Sequence, residues 1–376
     1  MKAKVTFISS RTRKYMYKYS LQSRFDRMLR EFDLKKYVQK KEISLLKMHL
    51  GNPGANQTVR PSYVGQVVRA VQEAGGLPVV TDAMRIPPVQ YLTVANHIGY
   101  NTSTLGCPVV IADGLFGRDS VLVPAGELLK EISIASAIYD ATSMIVLTHV
   151  KGHILAGFAG SLKHVSMGGT AQNPRQGGWK HGRGKMHADW SAESRIEWDA
   201  ARCTLCMACV TTCPLDMISV RDKAIVINHE DCVRCGRCAR VCEAEALQAP
   251  VTFDYFVKAV SEGAKAVLGT FAEKKVLYLN FLLDMQPECD CLFAHDNAVV
   301  PNLGIMMSDD PVALDTATLD RIALEKPCPN SLAEGLEVPA GSDVFQALKG
   351  IDTRAILREC ERLGLGTSEY ELIEIG

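Results

Sequence analysis

Eight of the thirteen cysteines fall into two runs with the same spacing. A C-x2-C-x2-C-x3-C run is the bacterial pattern for binding a [4Fe–4S] cluster, and in paired runs the fourth cysteine of each ligates the other cluster. We therefore predict two [4Fe–4S] clusters. The predicted ligands are Cys203, Cys206, Cys209 and Cys242 for one cluster, and Cys232, Cys235, Cys238 and Cys213 for the other.

A pair of zinc sites is the alternative interpretation of these runs. Four-cysteine zinc sites use two C-x2-C pairs separated by a longer spacer, which fits three close cysteines and a fourth at x3 poorly. Pro214 follows the first run, whereas Glu243 occupies the matching place after the second. That change removes no ligand, but it places a charge near a cluster. Between the runs, two apolar segments around Asp222 predict a small hairpin.

A second group of titratable residues follows the apolar segment that ends at Leu147. His149, His153, Lys163 and His164 lie among glycines there, and an open α/β sheet places its ligand crevice beyond the carboxyl ends of its strands. A lone histidine is usually structural, but four such groups together indicate a binding or acid–base site. We expect Lys163 to bind an anionic group and His149 or His153 to handle protons. His181 and His187, further along, are weaker candidates.

The C-x-C pair Cys289 and Cys291 is a third candidate for chemistry. Two such thiols can chelate a metal ion or supply a reactive thiolate, although two ordinary loop cysteines are the alternative. The other cysteines, at 107, 328 and 360, show no spacing signal, and we expect them to act as small apolar residues.

Short β-rich segments alternate with helical patterns along the chain, which predicts an α/β fold with a largely parallel sheet. A helix is expected after Pro61, where valines recur at helical spacing. The other expected helices lie near 20–38, 131–140, 252–266, 311–325 and 353–363. The expected strands are Lys4–Ile8, Ile43–His49, Leu77–Thr81, Val109–Ala112, Met144–His149, Val276–Phe281 and Gly304–Met307.

The α/β pattern resumes after the cysteine runs, so the two-cluster module is predicted to be an insertion. The expected division is an α/β domain at 1–192 and 250–376, with a ferredoxin-like insertion at 193–249. The glycine-rich stretch 168–185 carries four basic residues and is predicted to be a long loop. It could close over an anionic substrate or simply connect to the module.

Composition excludes several classes of function. Lys plus Arg and Asp plus Glu number 42 each, so no overall field attracts nucleic acid or an anionic membrane. A basic cluster near the N-terminus, from Arg11 to Arg27, is the one feature that would suit nucleic-acid modification. A solvated helix face explains this cluster equally well. No apolar stretch is long enough to span a membrane. Cysteines arranged for metal binding in a chain of this size indicate a reducing compartment, and we expect the cytoplasm.

Five segments resemble the uncharacterised iron–sulfur centre proteins grouped as domain of unknown function number 362. They are Glu73–Asp82, Ile111–Asp119, Lys151–Lys163, Cys289–Cys291 and Ser308–Asp315. The resemblance extends over nearly the whole chain, and it implies architecture and site positions without a reaction. A more local similarity, from His153 to Lys163 and around Asp82–Arg85, is to nickel-pincer lactate racemases, and it implies only a site location.

The leading functional hypothesis is an oxidoreductase in which the clusters relay electrons to a small-molecule substrate or metal centre in the α/β domain. The expected catalytic residues are His149, His153, Lys163, Cys289 and Cys291, and the expected partners are an anionic small molecule and a redox protein. One alternative is a non-catalytic electron carrier that docks a partner. The other is a metal-dependent isomerase or racemase-like enzyme with structural clusters.

Overall fold

An eight-stranded mixed sheet forms the centre of the computed structural model, which describes residues 2–54, 57–175, 178–188, 194–213, 216–232, 234, 236–249, 253–272 and 275–376. The strand order is β16-β1-β15-β14-β7-β2-β3-β4. The pairings β14–β7, β7–β2, β2–β3, β3–β4 and β1–β16 are parallel, and only β15 pairs antiparallel with its neighbours. The predicted α/β class with a largely parallel sheet is confirmed.

The strands are β1 (Ala3–Ser9), β2 (Ile43–Met48), β3 (Leu77–Asp82), β4 (Val109–Ile111), β5 (Ser120–Pro124), β6 (Glu131–Ala135), β7 (Ser143–His149), β8 (Lys151–His153), β9 (Gly157–Ala159), β10 (Glu197–Trp198), β11 (Ile218–Arg221), β12 (Ala224–Ile227), β13 (Leu247–Gln248), β14 (Val276–Leu282), β15 (Gly304–Ser308) and β16 (Tyr370–Glu374). The α-helices are α1 (Leu21–Glu31), α2 (Pro61–Ala74), α3 (Pro88–His97), α4 (Thr102–Leu105), α5 (Ser136–Asp140), α6 (Ser161–Gly169), α7 (Ala208–Thr212), α8 (Arg237–Arg240), α9 (Phe253–Leu268), α10 (Pro311–Ile322), α11 (Val344–Lys349) and α12 (Ala355–Arg362).

Both faces of the central sheet are buried, which explains why its strands are apolar almost throughout. Within β2, Leu45 belongs to the core on one face and Leu46 to the core on the other. In β7, Met144 likewise belongs to the first core and Ile145 to the second, because successive side chains of a strand point to opposite faces. Helices α6, α9, α10 and α12 cover the first face, and α1 and α2 cover the second.

The predicted strands and most predicted helices are present, but the helix expected near 131–140 is wrong for its first half. Residues Glu131–Ala135 form β6, which pairs antiparallel with β5, and only Ser136–Asp140 are helical. The apolar Ile132 and Ile134 alternate with polar residues there, and this period of two is a strand pattern. The stretch 168–185 is also more ordered than expected, since it contains the end of α6 and two short 3-10 helices.

The described residues from 194 to 249 have a small hydrophobic core of their own, built around Ile196, Ile218, Ile225 and Leu247. The predicted hairpin is present as β11 and β12, which pair antiparallel from Ile218 with Ile227 to Arg221 with Ala224. Strands β10 and β13 pair where the segment enters and leaves. The domain boundaries themselves stay a prediction, and Cys235 lies outside the described residues.

Candidate functional site

A buried cavity lies beyond the carboxyl ends of β2 and β3 in the central sheet. The space inside it that the centres of water molecules can reach is about 130 Å³. This is room for roughly ten waters or a small organic molecule. Many of its lining side chains are charged or titratable, and they come from distant parts of the chain. They are Lys47, His49, Asp82, Arg85, His153, Lys163, His164, Arg183, His187, Cys289 and Cys291.

A buried ion pair forms one wall of this cavity. Lys47 at the end of β2 places its Nζ 3.1 Å from Oδ1 of Asp82 at the end of β3, and both side chains are at most 4% exposed. The Tyr91 hydroxyl donates to the other Asp82 oxygen at 2.7 Å. Burial lowers the pKa of Lys47 to about 8, although Asp82 opposes that shift. Gly168 of α6 is required here, because a Cβ at this position would lie 1.9 Å from the Lys47 Nζ.

Helix α6 carries Lys163 and His164 into the cavity. Its first turn is fixed by the buried carboxylate of Asp315, which accepts hydrogen bonds from the Ser161 and Leu162 backbone amides at 2.8 and 2.9 Å. Unpaired amides at a helix N-terminus favour such an acceptor. The Lys163 Nζ lies 3.7 Å from the Cys289 sulfur, so the helix and the C-x-C segment meet at this point.

The C-x-C segment is held in place through its middle residue, Asp290, which is fully buried. Its carboxylate is 2.7 Å from the Lys151 Nζ and 2.8 Å from the His149 Nδ1, and it accepts a hydrogen bond from the Gln286 side chain. Lys151 and, among other groups, His149 hold the pKa of Asp290 well below its usual range despite burial. Gly152 is required beside it, since a Cβ there would lie 2.1 Å from the Pro287 carbonyl oxygen.

The two thiols of this segment line the cavity, and their pKa values are shifted in opposite directions. The hydrogen bond from Cys289, together with the Arg85 and Lys163 charges, holds the pKa of Cys291 well below its usual range. The pKa of Cys289 is raised because its proton lies in that hydrogen bond and because the thiol is buried. These shifts favour a thiolate on Cys291 and a thiol on Cys289 beside two cations, which is the environment of a reactive cysteine.

The cavity histidines are neutral at pH 7. Burial and the Lys163 charge lower the pKa of His153 to about 4, and burial and Lys47 lower that of His164 well below its usual value. The His153 Nδ1 accepts hydrogen bonds from the Leu155 and Ala156 amides, which leaves its Nε2–H to donate to the Cys289 sulfur. The His164 Nε2 is buried without a hydrogen-bond partner.

The cysteine runs form a second candidate site in the small segment. Cys203, Cys206, Cys209 and Cys242 line one pocket together with apolar side chains such as Leu205 and Ile225. The first three come from one run and the fourth from the other, as expected for ligands exchanged between paired runs. The Cys242 sulfur also accepts a hydrogen bond from the Ala246 amide at 3.2 Å. Four thiols in an apolar pocket, with an amide donor to sulfur, fit an iron–sulfur cluster.

The described cysteines of the other set show the same chemistry. The Cys213 sulfur accepts a hydrogen bond from the Met217 amide at 3.3 Å, and the Cys232 sulfur accepts one from the Arg234 amide at 3.4 Å. Cys238 is buried on α8. Amide hydrogen bonds to thiolate sulfur are one of the means by which proteins tune iron–sulfur clusters.

Helix α8 of this segment contacts the edge of the cavity. The Arg237 guanidinium is 3.5 Å from the carboxylate of Glu288, the residue before Cys289. The Arg240 guanidinium donates to the Ile154 carbonyl oxygen at 3.2 Å, next to His153. The two arginines flank Cys238 on α8, so a cysteine-bearing helix packs against the residues that hold the cavity.

The family model described as "Domain of unknown function (DUF362)" matches residues 45–320. The chain belongs to this family. The match takes in most of β2, the cavity residues, the cysteine runs and most of α10, so this DUF362 chain carries both candidate sites within the shared region.

The cysteine-rich segment is also similar to curated ferredoxins. It is 32% identical over 53 residues to a ferredoxin of Methanothermococcus thermolithotrophicus, which covers 14% of this chain and 88% of that protein. A match to the ferredoxin-type protein NapH of Haemophilus influenzae is 30% identical over 63 residues, 15% of this chain. The chain spans only 22% of the length of NapH. The segment is therefore a ferredoxin-type iron–sulfur module.

Among solved structures, the lactate racemase apoprotein of Thermoanaerobacterium thermosaccharolyticum aligns with a TM-score of 0.33 and 11% sequence identity. The alignment covers 76% of this chain and 51% of that chain.

Four of the five predicted catalytic residues, His153, Lys163, Cys289 and Cys291, meet at the cavity. His149 is not among the residues that line it. Its Nε2 faces the Leu283 and Asp284 carbonyl oxygens and its Nδ1 faces Asp290, so both ring nitrogens have protein partners.

The two weaker histidine candidates separate in the structure. His187 lines the cavity, whereas His181 is exposed and does not. The catalytic roles of all these residues stay predictions.

Several cavity residues were missed by the sequence reasoning, notably Lys47, His49 and Arg183. Lys47 interrupts the apolar segment of β2, and a lysine inside a buried strand requires a partner charge. That rule could have found the Lys47–Asp82 pair.

Two negative findings apply to the residues that the structure describes. No three His, Cys, Asp or Glu side chains among them are grouped tightly enough to hold a single metal ion, so the cluster assignment rests on the cysteine spacing, the shared pocket and the similarity to ferredoxins. No helix in the same part of the chain is both long and apolar enough to cross a membrane.

Proposed function

We propose that this protein is an iron–sulfur oxidoreductase that transfers electrons from its ferredoxin-type module to a small anionic molecule in the buried cavity. The observation that carries the proposal is the contact of α8 with the cavity. Arg237 and Arg240 flank Cys238 and bind Glu288 and the Ile154 carbonyl, which are chain neighbours of Cys289 and His153. Electron transfer requires such proximity, whereas a module that only stabilised the fold would not need to meet the cavity.

In this proposal the module holds two [4Fe–4S] clusters, which supply one-electron storage and transfer when bound. Cys203, Cys206, Cys209 and Cys242 would hold one cluster, and the pocket that these four thiols line supports this assignment. Cys213, Cys232, Cys235 and Cys238 would hold the other. A redox protein that reduces the module is the expected partner.

The charges of the cavity support an anionic substrate. Lys47, Arg85, Lys163 and Arg183 line it, against the carboxylate of Asp82 and one thiolate. Two positive charges are therefore in excess among the described lining residues. The Arg183 guanidinium donates to the Met84 and Thr170 carbonyl oxygens and to the Gln172 side chain, which fixes its position without neutralising it. Burying cations without matching anions is costly, and an anionic ligand offsets that cost.

Each cavity residue then has a defined task. Lys163 and Arg85 bind the anion, since both face the thiol pair and have no carboxylate partner among their described contacts. The neutral His164 presents an unpartnered Nε2 that can exchange a hydrogen bond or a proton with the substrate. His149 cannot do this without breaking its hydrogen bonds to Asp290 and to two carbonyl oxygens. Both ring nitrogens of His153 are also occupied, so the proton role expected of His149 or His153 passes to His164.

Anaerobic reoxidation of the reduced holoprotein tests this proposal. The protein is reduced with two equivalents of titanium(III) citrate per chain, one electron for each cluster, and mixed with pyruvate, 2-oxoglutarate, fumarate, sulfite or nitrite, and the visible absorbance of the module is followed. We expect at least one of these anions to reoxidise the wild type. Lys163→Met should slow that reaction by about 10- to 100-fold, because a hydrogen bond to a charged group contributes about 1.5–3 kcal/mol. Lys35→Met, at an exposed position, is the matched control.

Two results would contradict the proposal in favour of the alternatives. If no anion reoxidises the module but an oxidised ferredoxin does, at a rate that Lys163→Met leaves unchanged, the protein is an electron carrier. If an anion is isomerised without any change in the module's absorbance, the module is structural and the cavity catalyses an isomerisation.

A further inference from the structure

The Cys289–Cys291 pair differs from an ordinary pair of loop cysteines in how its backbone is fixed. Asp290 lies between them, fully buried, and is held by Lys151, His149 and Gln286. The Cys291 carbonyl oxygen accepts a hydrogen bond from the Asn52 side chain at 2.9 Å, and the Cys289 carbonyl accepts one from the Leu292 amide at 3.0 Å. With the middle residue anchored in the protein, both flanking thiols line the cavity.

The two thiols face the same space. Both line the cavity, and the Cys291 amide donates to the Cys289 sulfur at 3.4 Å. Disulfide formation requires the two sulfurs to approach with little backbone movement. Two cysteines separated by one residue, with both thiols on the same cavity, meet that requirement.

Charged and polar donors surround the pair on the cavity side. The Lys163 Nζ is 3.7 Å from the Cys289 sulfur, His153 is hydrogen-bonded to the same sulfur, and Arg85 is hydrogen-bonded to that of Cys291. Thiol–disulfide chemistry proceeds through the thiolate, so groups that stabilise a thiolate in a partly enclosed site favour it.

We infer that Cys289 and Cys291 are a redox-active pair that cycles between a disulfide and a thiol–thiolate and so stores two electrons beside the substrate. Reduction breaks the S–S bond, takes up two electrons and one proton, and leaves one thiol hydrogen-bonded to one thiolate. Oxidation re-forms the bond and releases the two electrons and the proton to the acceptor. The electron source, a low-potential one-electron donor of the ferredoxin class acting through the module, rests on the proposed function.

The position of the pair explains why such a store is useful. A ferredoxin-type module transfers electrons singly, whereas reduction of a carbonyl or an alkene consumes a pair. Glu288 joins the two parts, because it precedes Cys289 and forms an ion pair with Arg237 beside Cys238. The dithiol therefore follows, in the chain, a residue that contacts the helix carrying a cluster cysteine, and it also lines the cationic cavity.

Peptide mapping after equilibration in a thiol redox buffer tests the inference without any substrate. The anaerobic holoprotein is equilibrated with mixtures of oxidised and reduced dithiothreitol, quenched in acid, denatured and alkylated with iodoacetamide. Cleavage after Lys275 and Arg321 releases residues 276–321, which contain Cys289 and Cys291 and no other cysteine. The oxidised peptide should carry no alkyl group and be lighter than the unalkylated dithiol by two hydrogens, and the reduced peptide should carry two alkyl groups.

Variants separate redox chemistry from a structural role. In Cys291→Ser the peptide should carry one alkyl group in every buffer. Arg85→Gln should raise the ratio of disulfide to dithiol at a fixed buffer composition several-fold, because it removes a charge that stabilises the thiolate. Cys328→Ser, at a partly buried cysteine outside the cavity, should titrate like the wild type.

The inference is overturned if the wild-type peptide is doubly alkylated in every buffer, or if metal analysis finds an ion on the two thiols that prevents disulfide formation. It is also overturned if Arg85→Gln leaves the disulfide ratio unchanged. These failures are distinguishable from failure of the proposed function. A pair that never oxidises, in a protein where Lys163→Met still slows reoxidation by an anion, leaves the oxidoreductase proposal standing.

Discussion

The Lys151 Nζ lies 2.7 Å from the carboxylate of Asp290, and both side chains are at most 3% exposed. Removing one member of such a buried pair leaves an uncompensated charge, which typically costs about 3–5 kcal/mol. We therefore expect Asp290→Asn to lower the free energy of unfolding by about that amount, measured by anaerobic denaturant titration at pH 7. The double variant Asp290→Asn with Lys151→Met should recover part of the loss.

The exposed pair of Arg27 and Glu31 provides the control for that experiment. The Arg27 Nε lies 3.8 Å from the Glu31 Oε1, and both side chains are about half exposed. Glu31→Gln should change the free energy of unfolding by no more than about 0.5 kcal/mol. Equal effects of the two substitutions would contradict the structural role assigned to Asp290.

Electron transfer to the cavity should depend on the contact of Arg237 with Glu288. We expect Arg237→Gln to slow anion-driven reoxidation of the module several-fold while its visible spectrum stays unchanged. Arg202→Gln is the matched control, because Arg202 pairs with the exposed Glu245 within the same module. Stopped-flow absorbance measures both rates. Similar slowing in the two variants would argue that loss of surface charge, and not the contact, is the cause.

The burial of His153 predicts a specific pH dependence of stability. Its pKa falls from 6.5 in the unfolded chain to about 4 in the fold, so the unfolded chain takes up its proton first on acidification. The contribution of the neutral His153 ring to the free energy of unfolding is thus fully present above pH 6.5, and it is lost as the pH falls towards 4. Between pH 7.5 and 5.5 this loss is about 1 kcal/mol.

Thermal unfolding of the wild type and of His153→Gln, followed by circular dichroism at pH 7.5 and 5.5, measures this effect. The wild type should lose about 1–2 °C more in midpoint than the variant over this interval. Parallel losses would show that His153 titrates normally in the folded protein.

Gly152 should not tolerate a side chain. A Cβ there would lie 2.1 Å from the Pro287 carbonyl oxygen, and this backbone segment leads directly to Cys289. Gly152→Ala should lower the free energy of unfolding by about 1–3 kcal/mol, as overpacking does, and should also reduce reoxidation by the substrate anion. Gly65→Ala on α2, where a Cβ has room, should be neutral or stabilising.

Iron analysis tests how the cysteine runs are shared between clusters. Two four-iron clusters give about eight iron atoms per chain. Cys203→Ala and Cys242→Ala should each remove about four of them, and the double variant should remove no more, because both residues are expected to hold one cluster. Combining Cys203→Ala with Cys213→Ala should remove about eight. If Cys203 and Cys242 have additive effects, the assignment is wrong.

Much of the fold could be predicted because the central strands have unmistakable patterns. The apolar segments at 144–149 and 276–281 form neighbouring parallel strands, as expected for a sheet buried on both faces. The rule that ligands bind beyond the carboxyl ends of strands located His153, Lys163 and His164. The edge strand β16 was missed, because its exposed, charged residues have no such pattern.

The rest of the site depends on pairings between distant segments that no local pattern encodes. Arg183 resembled one more loop charge in a glycine-rich stretch, yet it is buried against the Met84 and Thr170 carbonyl oxygens. His149 resembled a catalytic histidine, because nothing near it in the sequence reveals that Asp290 binds its ring. Sequence spacing identifies such residues as unusual. Only the tertiary contacts distinguish a residue with a structural role from one that can take part in catalysis.

The sheet order also bears on how the protein is synthesised. Strand β1 is made before the other strands of the sheet, yet its partners β15 and β16 lie at residues 304–308 and 370–374, so it must wait on the ribosome until these distant segments have been synthesised. The hairpins of the iron–sulfur module pair within residues 197–248 and can form much earlier. Cofactor delivery to the nascent module can therefore precede completion of the sheet.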